Sequence, residues 1–160
     1  MYGTPGQPNS VNKMYTYYDY SFAQDTELKK ELNPYLFKGM NVRVLKGVNL
    51  TLGPGVVAKF YDAQSNFIID GTLRAIGSDS DKIIFTSFKD DGYGGDANDD
   101  SNKSSPSEAD WLGLYFSPQS SDSELENIVA SYGGAIFGTS PLGWGNTIWA
   151  DQSSISLKNS

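Results

Sequence analysis

The sequence contains no cysteine and no histidine. The first absence rules out disulfides, thiolate metal sites and thiol nucleophiles. The second rules out a Ser-His-Asp triad and an imidazole-ligated zinc. Any acid–base chemistry falls to Asp, Glu, Tyr or Lys. Arginine is scarce as well, with Arg43 and Arg74 the only two. Twelve Lys and Arg stand against 19 Asp and Glu, a formal net charge of −7. Nucleic-acid binding needs clustered cations that displace phosphate counterions, and the basic residues here are scattered, so no nucleic-acid partner is expected. No run approaches the roughly eighteen apolar residues of a membrane-spanning helix, so no membrane span is expected. The opening MYGTPGQPNS has neither a basic nor an apolar region and is not a secretory signal.

Helical periodicity is nearly absent. QDTELKKEL at 24–32 is the one candidate helix, two turns at most, ended by Asn33-Pro34 because a residue before proline is pushed out of the helical region. What is present instead is aromatic and β-branched alternation. KMYTYYDYSF at 13–22 carries five rings and reads as a strand or arm, with Tyr15 and Tyr17 on one face and Tyr18 and Tyr20 on the other. From 40 onward short alternating runs recur: 41–60, 66–77, 81–88, 111–116, 124–137, 146–150 and 153–159. With no helical stretches between them, a βαβ sheet is excluded, leaving an antiparallel sandwich or a β-solenoid. The repeated unit of alternation, Gly turn and alternation in VNLTLGPGVVAKF and FIIDGTLRAIG favours the solenoid. So does the strand-like SSISLKNS, which lacks a closing polar cap and suggests a truncated chain or a partner on that end.

These segments carry a family resemblance. NPYLFKGMNVRVLKGVNLTLGPGVVAKF at 33–60 resembles the opening of the right-handed parallel β-helix modules of large bacterial secreted and cell-surface proteins. IIDGTLRAIGSDSDKIIFTS at 68–87, DWLGLYF at 110–116 and LENIVASYGG at 125–134 are similar to its next coils, and SSISLKNS to the start of a later one. The resemblance implies an all-β fold, a right-handed parallel β-helix of about four coils over 33–160, with 1–32 as an aromatic N-terminal arm and short helix. It also implies that the chain is the N-terminal portion of such a helix. The expected interior is Val48, Leu50, Leu52, Val57, Ile69, Leu73, Ile84, Phe85, Leu114, Phe116, Leu125 and Ile128.

One stretch does not fit the strand pattern. DDGYGGDANDDSNKSSPSEADW, 90–111, holds seven carboxylates. Asp96, Asn98, Asp100 and Asn102 alternate as the oxygen ligands of a calcium loop do, with Glu108 and Asp110 following. Asp90 and Asp91 become available if Gly92, Gly94 and Gly95 fold the loop back. The loop glycine such a motif places sixth is Ser101 here, so the match is partial. Oxygen donors alone point to Ca2+ over a transition metal. A plain solvated loop is the competing reading, although seven like charges in one ordered loop need something to offset them. A catalytic carboxylate pair is the third reading. Trp144 and Trp149, with Tyr15, Tyr17, Tyr18 and Tyr20, are candidate contacts for a sugar or a partner chain.

The function expected is a non-enzymatic extracellular or cell-surface structural and adhesion module, stiffened by calcium. Two alternatives stand beside it. One is a subunit that stacks head to tail on copies of itself into a filament. The other is the front of a protein that binds or degrades a surface polysaccharide.

Overall fold

A computed structural model describes residues 15–136 and 145–160. Among them, fifteen short strands repeat in threes. The first rung is β1 (Tyr15–Tyr18), β2 (Ser21–Phe22) and β3 (Thr26–Leu28). The second is β4 (Tyr35–Lys38), β5 (Val42–Val44) and β6 (Asn49–Leu52). The third is β7 (Val57–Phe60), β8 (Asn66–Ile69) and β9 (Thr72–Ile76). The fourth is β10 (Ile83–Ser87), β11 (Gly113–Phe116) and β12 (Ser123–Glu126). The fifth is β13 (Ile128–Ala130), β14 (Ile148–Ala150) and β15 (Ile155–Lys158). Every third strand pairs in parallel. The first sheet is β1-β4-β7-β10-β13, the second β2-β5-β8-β11-β14, and the third β3-β6-β9-β12-β15. The result is a parallel β-helix of five rungs. No helix among the described residues is long and apolar enough to cross a membrane.

Period-two alternation sends one side chain inward at each rung, and parallel register stacks these into columns. One interior column runs Phe22, Val44, Ile69, Phe116, Ala150. Another runs Leu28, Leu52, Ala75, Leu125, Leu157. Burying each large apolar side chain contributes about 1.5–3 kcal/mol, which is how strands of two to five residues hold together. A third column is aromatic. Tyr17 stacks on Phe37 at 5.4 Å between ring centres, Phe37 on Phe60 at 5.4 Å, and Phe60 on Trp111 at 3.9 Å with planes 5° apart.

The structure revises several expectations. Over 33–160 the four expected rungs are present, β4–β6 to β13–β15, and a further rung, β1–β3, precedes them. Residues 15–28, expected as an arm, form the first rung, in which β1, β2 and β3 pair with β4, β5 and β6. The helix expected over 24–32 is β3 followed by one 3-10 turn, Lys30–Leu32. There the inward column claims Leu28, and pairing with β6 outweighs helix propensity. Val57 and Ile84 are buried but point outward, apart from the main core, because the chain covers the outer face of the first sheet.

The cover is residues 88–112, which leave the fourth rung between β10 and β11. Their return is fixed by Asp110-Trp111. Phe60 pairs in register with Ser87, so the aromatic column would meet a small polar side chain at the fourth rung. The Trp111 ring fills that place. Its Nε1–H donates to the Ser131 carbonyl at 2.8 Å. Asp110 accepts from Ser87 Oγ at 2.7 Å and Lys89 Nζ at 2.9 Å.

Candidate metal centre

The insert lies on the outward ladder Leu36–Lys59–Thr86 of the first sheet. Lys59 is fully buried. Its ammonium donates to the Asp90 carbonyl at 2.8 Å and the Gly95 carbonyl at 2.7 Å, closing the glycine-rich turn 90–95 over the sheet. Burial pushes its pKa down to about 8, against the opposing pull of Asp91, Asp90 and Asp96. Thr86 Oγ1 donates to Asp90 Oδ2 at 2.6 Å and fixes the same turn. Sequence reasoning missed this role. Its signal was a lysine inside the apolar run VVAKF, at an outward position opposite an acidic insertion.

Beyond the turn, the backbone winds through positive φ at Asp99, Ser101 and Asn102, between 55° and 63°. Short polar side chains tolerate that region. The winding aims amides at two carboxylates. Asp96 accepts from the Asp100 and Ser101 N–H at 3.1 and 2.9 Å. Asp100 accepts from the Lys103 and Ser104 N–H, both at 2.9 Å, and from the Ser104 hydroxyl.

This arrangement brings Asp91, Asp96 and Asp100 together, with one oxygen from each lying within 4.8 Å of the others. A carboxylate has about four lone-pair sites, so the amide contacts leave room for a cation. Two further oxygens are left over: Oδ1 of Asp91 and Oδ1 of Asn98 are buried without a hydrogen-bond partner. Asn98 Nδ2 donates to Asp100 Oδ2 at 2.8 Å, which ties that amide to the group. Burial, then Asp96, push the Asp91 carboxyl up, with Lys59 opposing and Asp100 and Asp90 adding to the rise. Asp100 is held below its ordinary value, first by the Ser104 hydroxyl. The group as a whole carries more negative charge than Lys59 offsets.

The other predicted ligands are not brought into the group. Asp90 serves the Lys59 turn. Asp110 anchors Trp111; burial pushes its carboxyl up, but hydrogen bonds from Lys89, Ser87 and Ser107 hold it below the usual value. Asn102 and Glu108 are exposed and outside the three-carboxylate group. A calcium loop read as alternate positions thus becomes a fold-back of 91 onto 96 and 100.

The aromatic candidates separate. Tyr15 pairs with Tyr35 in β1, and Tyr17 caps the interior ring column. Tyr18 and Tyr20 are exposed, with the Lys38 ammonium 5.9 Å from the Tyr18 ring centre. Trp149 meets Tyr115 edge-on at 5.5 Å on the outside of the second sheet, so the two rings form no flat platform. Trp144 lies outside the described residues. Arg43 donates to Asp70 at 2.8 Å, and Arg74 bridges to Glu124 at 2.8 Å. Both arginines are therefore engaged in pairs. No protein-family model, curated protein or solved structure matches the chain, so the site is read from its own geometry.

Proposed function

We propose that the chain is a non-enzymatic structural and adhesion module of the extracellular or cell-surface type, a rigid parallel β-helix whose acidic insert is braced by a divalent cation. The observation that carries this reading is the convergence of Asp91, Asp96 and Asp100, beside two buried oxygens that have no donor. Oxygen donors without nitrogen or sulfur favour calcium. Extracellular calcium modules bind with a Kd on the order of 10⁻⁴–10⁻³ M, matched to the calcium outside cells. The resemblance to secreted β-helix modules supports the same location.

The test is thermal unfolding in 10 mM calcium against EDTA. At that Kd, about 1.4–2.7 kcal/mol of stabilisation is expected by mass action, a Tm rise of about 3–10 °C. Asp96→Asn removes most of the rise. An unchanged melt in both buffers, with no binding of magnesium or manganese either, leaves a solvated insert and ends the cation reading.

A second reading, head-to-tail stacking of copies, is supported by one observation. The interior column Leu28–Leu52–Ala75–Leu125–Leu157 is closed at its first four members, whereas Leu157 is 50% exposed. Sedimentation of wild type and Leu157→Lys tests it: the reading needs concentration-dependent assembly that the lysine abolishes.

A further inference from the structure

The chain holds two Asp-Gly pairs, Asp70-Gly71 and Asp91-Gly92. In such a pair the glycine nitrogen can attack the aspartate Cγ and close a succinimide ring, because no Cβ stands in its way. The nitrogen loses its proton, Cγ loses a hydroxyl, and the two leave as water. Water then reopens the ring. Addition at Cγ restores aspartate. Addition at the main-chain carbonyl leaves isoaspartate, whose backbone runs through Cγ and is one methylene longer. The overall change is an isomerisation at constant mass, and it consumes no oxidant or cofactor.

The fold treats the two pairs differently. Asp70 is buried, and its oxygens accept from Ser117 Oγ at 2.6 Å and from Arg43 at 2.8 Å. The Gly71 N–H donates to the Val44 carbonyl at 3.1 Å, and the Val48 and Leu45 carbonyl oxygens crowd its α-carbon. Neither the carboxyl nor the nitrogen is free to turn toward the other. Asp91 and Gly92 lie between the two carbonyls that Lys59 holds, those of Asp90 and Gly95. Among the described residues no donor holds the Asp91 carboxyl, and its Oδ1 is buried without a hydrogen-bond partner. Gly92 is exposed, so water reaches the ring. The Gly92 N–H donates to Asp90 Oδ1 at 3.1 Å. That acceptor is a carboxylate, within reach of the proton the nitrogen must give up.

We propose that Asp91 is a site of spontaneous isomerisation to isoaspartate, and that Asp70, which also precedes a glycine, is protected by the fold. The added methylene falls inside the turn 90–95, and the carboxylate is displaced from those of Asp96 and Asp100. The proposal goes beyond the cation reading and stands without it, because it rests on an unheld carboxyl and the glycine after it, not on a bound ion.

The test is incubation of the whole chain at neutral pH and 37 °C for several weeks in EDTA, beside the same chain in guanidinium chloride. Trypsin separates the two pairs, because Lys59, Arg74, Lys89 and Lys103 bound the peptides 60–74 and 90–103. Isoaspartate elutes apart from aspartate at equal mass, and electron-transfer fragmentation locates it within each peptide. In the fold, at least about tenfold more isomer is expected at 91 than at 70, with comparable amounts at both in denaturant. Gly92→Ala slows the reaction at 91 several-fold, since its Cβ hinders ring closure, and leaves the melt unchanged. EDTA keeps the outcome independent of the cation reading, which the calcium melt tests separately. No isomer at 91 in the folded chain overturns the proposal. So does equal accumulation at 70 and 91 in the fold, or a Gly92→Ala variant that isomerises as fast as wild type.

Discussion

Lys59→Met is the most informative substitution, because a buried lysine has a pH signature that its replacement lacks. In the unfolded chain the ammonium holds its proton up to about 10.5, and in the fold it gives it up near 8. Between these values the unfolded state binds more protons, so stability rises with pH. The cost of burying the charge is fully present below about 8 and gone above 10.5, and the gap corresponds to about 3 kcal/mol. The neutral amine keeps two N–H groups for the two carbonyls of Asp90 and Gly95, so its grip survives deprotonation. Methionine fills the same stem volume but leaves both carbonyls without a donor, about 1–2 kcal/mol each. At pH 7 that loss is offset by the burial cost the variant no longer carries, and the two chains have similar stability. At pH 10.5 the wild type leads by about 2–4 kcal/mol. Urea unfolding of both chains from pH 7 to 10.5 measures the difference, and tyrosine ionisation, common to both, cancels. A difference that stays constant over this range would refute the assignment of Lys59 as a buried cation pinning the insert.

The remaining predictions are simpler. Asp96→Asn weakens calcium binding about tenfold or more, as removal of one charged ligand of three does, and affinity in the wild type falls as acid protonates Asp91, whose carboxyl is raised; calorimetric titrations at pH 5 and 7 check both. Asp70→Ala costs about 2–3 kcal/mol in urea unfolding, because Asp70 is buried and accepts from Ser117 Oγ at 2.6 Å and from Arg43 at 2.8 Å. Gly71→Ala costs at least about 2 kcal/mol, since its Cβ would stand 2.3 Å from the Val48 carbonyl oxygen and 2.4 Å from that of Leu45; a variant as stable as wild type contradicts the tight corner between β8 and β9.

The fold was legible because each rung repeats one physical pattern. Val48, Leu50, Leu52, Ile69, Leu73, Phe85, Leu114, Phe116, Leu125 and Ile128 all lie in the interior, as the resemblance implies. The resemblance also placed Val57 and Ile84 inside, and there it failed, because both point to an outer face that an insertion covers. The first rung was hidden by the polarity of β3: Glu27 and Lys29 read as a helix, and of the two positions in register with interior Leu50 and Leu52, Thr26 is polar and only Leu28 is apolar. In the insert, composition located the carboxylates but spacing misassigned them. Which acids meet depends on Lys59 pulling down the turn 90–95 and on left-handed residues at 99, 101 and 102. Those are tertiary and backbone effects with no fixed spacing in sequence. Trp111 was legible as part of DWLGLYF, but its place over Phe60 follows from Ser87, small and polar, in the same column.

The central claim is that Asp91, Asp96 and Asp100 form one cation site, and a calorimetric titration of the wild-type chain with calcium tests it most directly. Saturable binding of one ion with a Kd on the order of 10⁻⁴–10⁻³ M is expected, weakened about tenfold or more in Asp96→Asn and retained in Glu108→Gln. No saturable heat in the wild type, or a signal that Glu108→Gln removes and Asp96→Asn leaves intact, contradicts it.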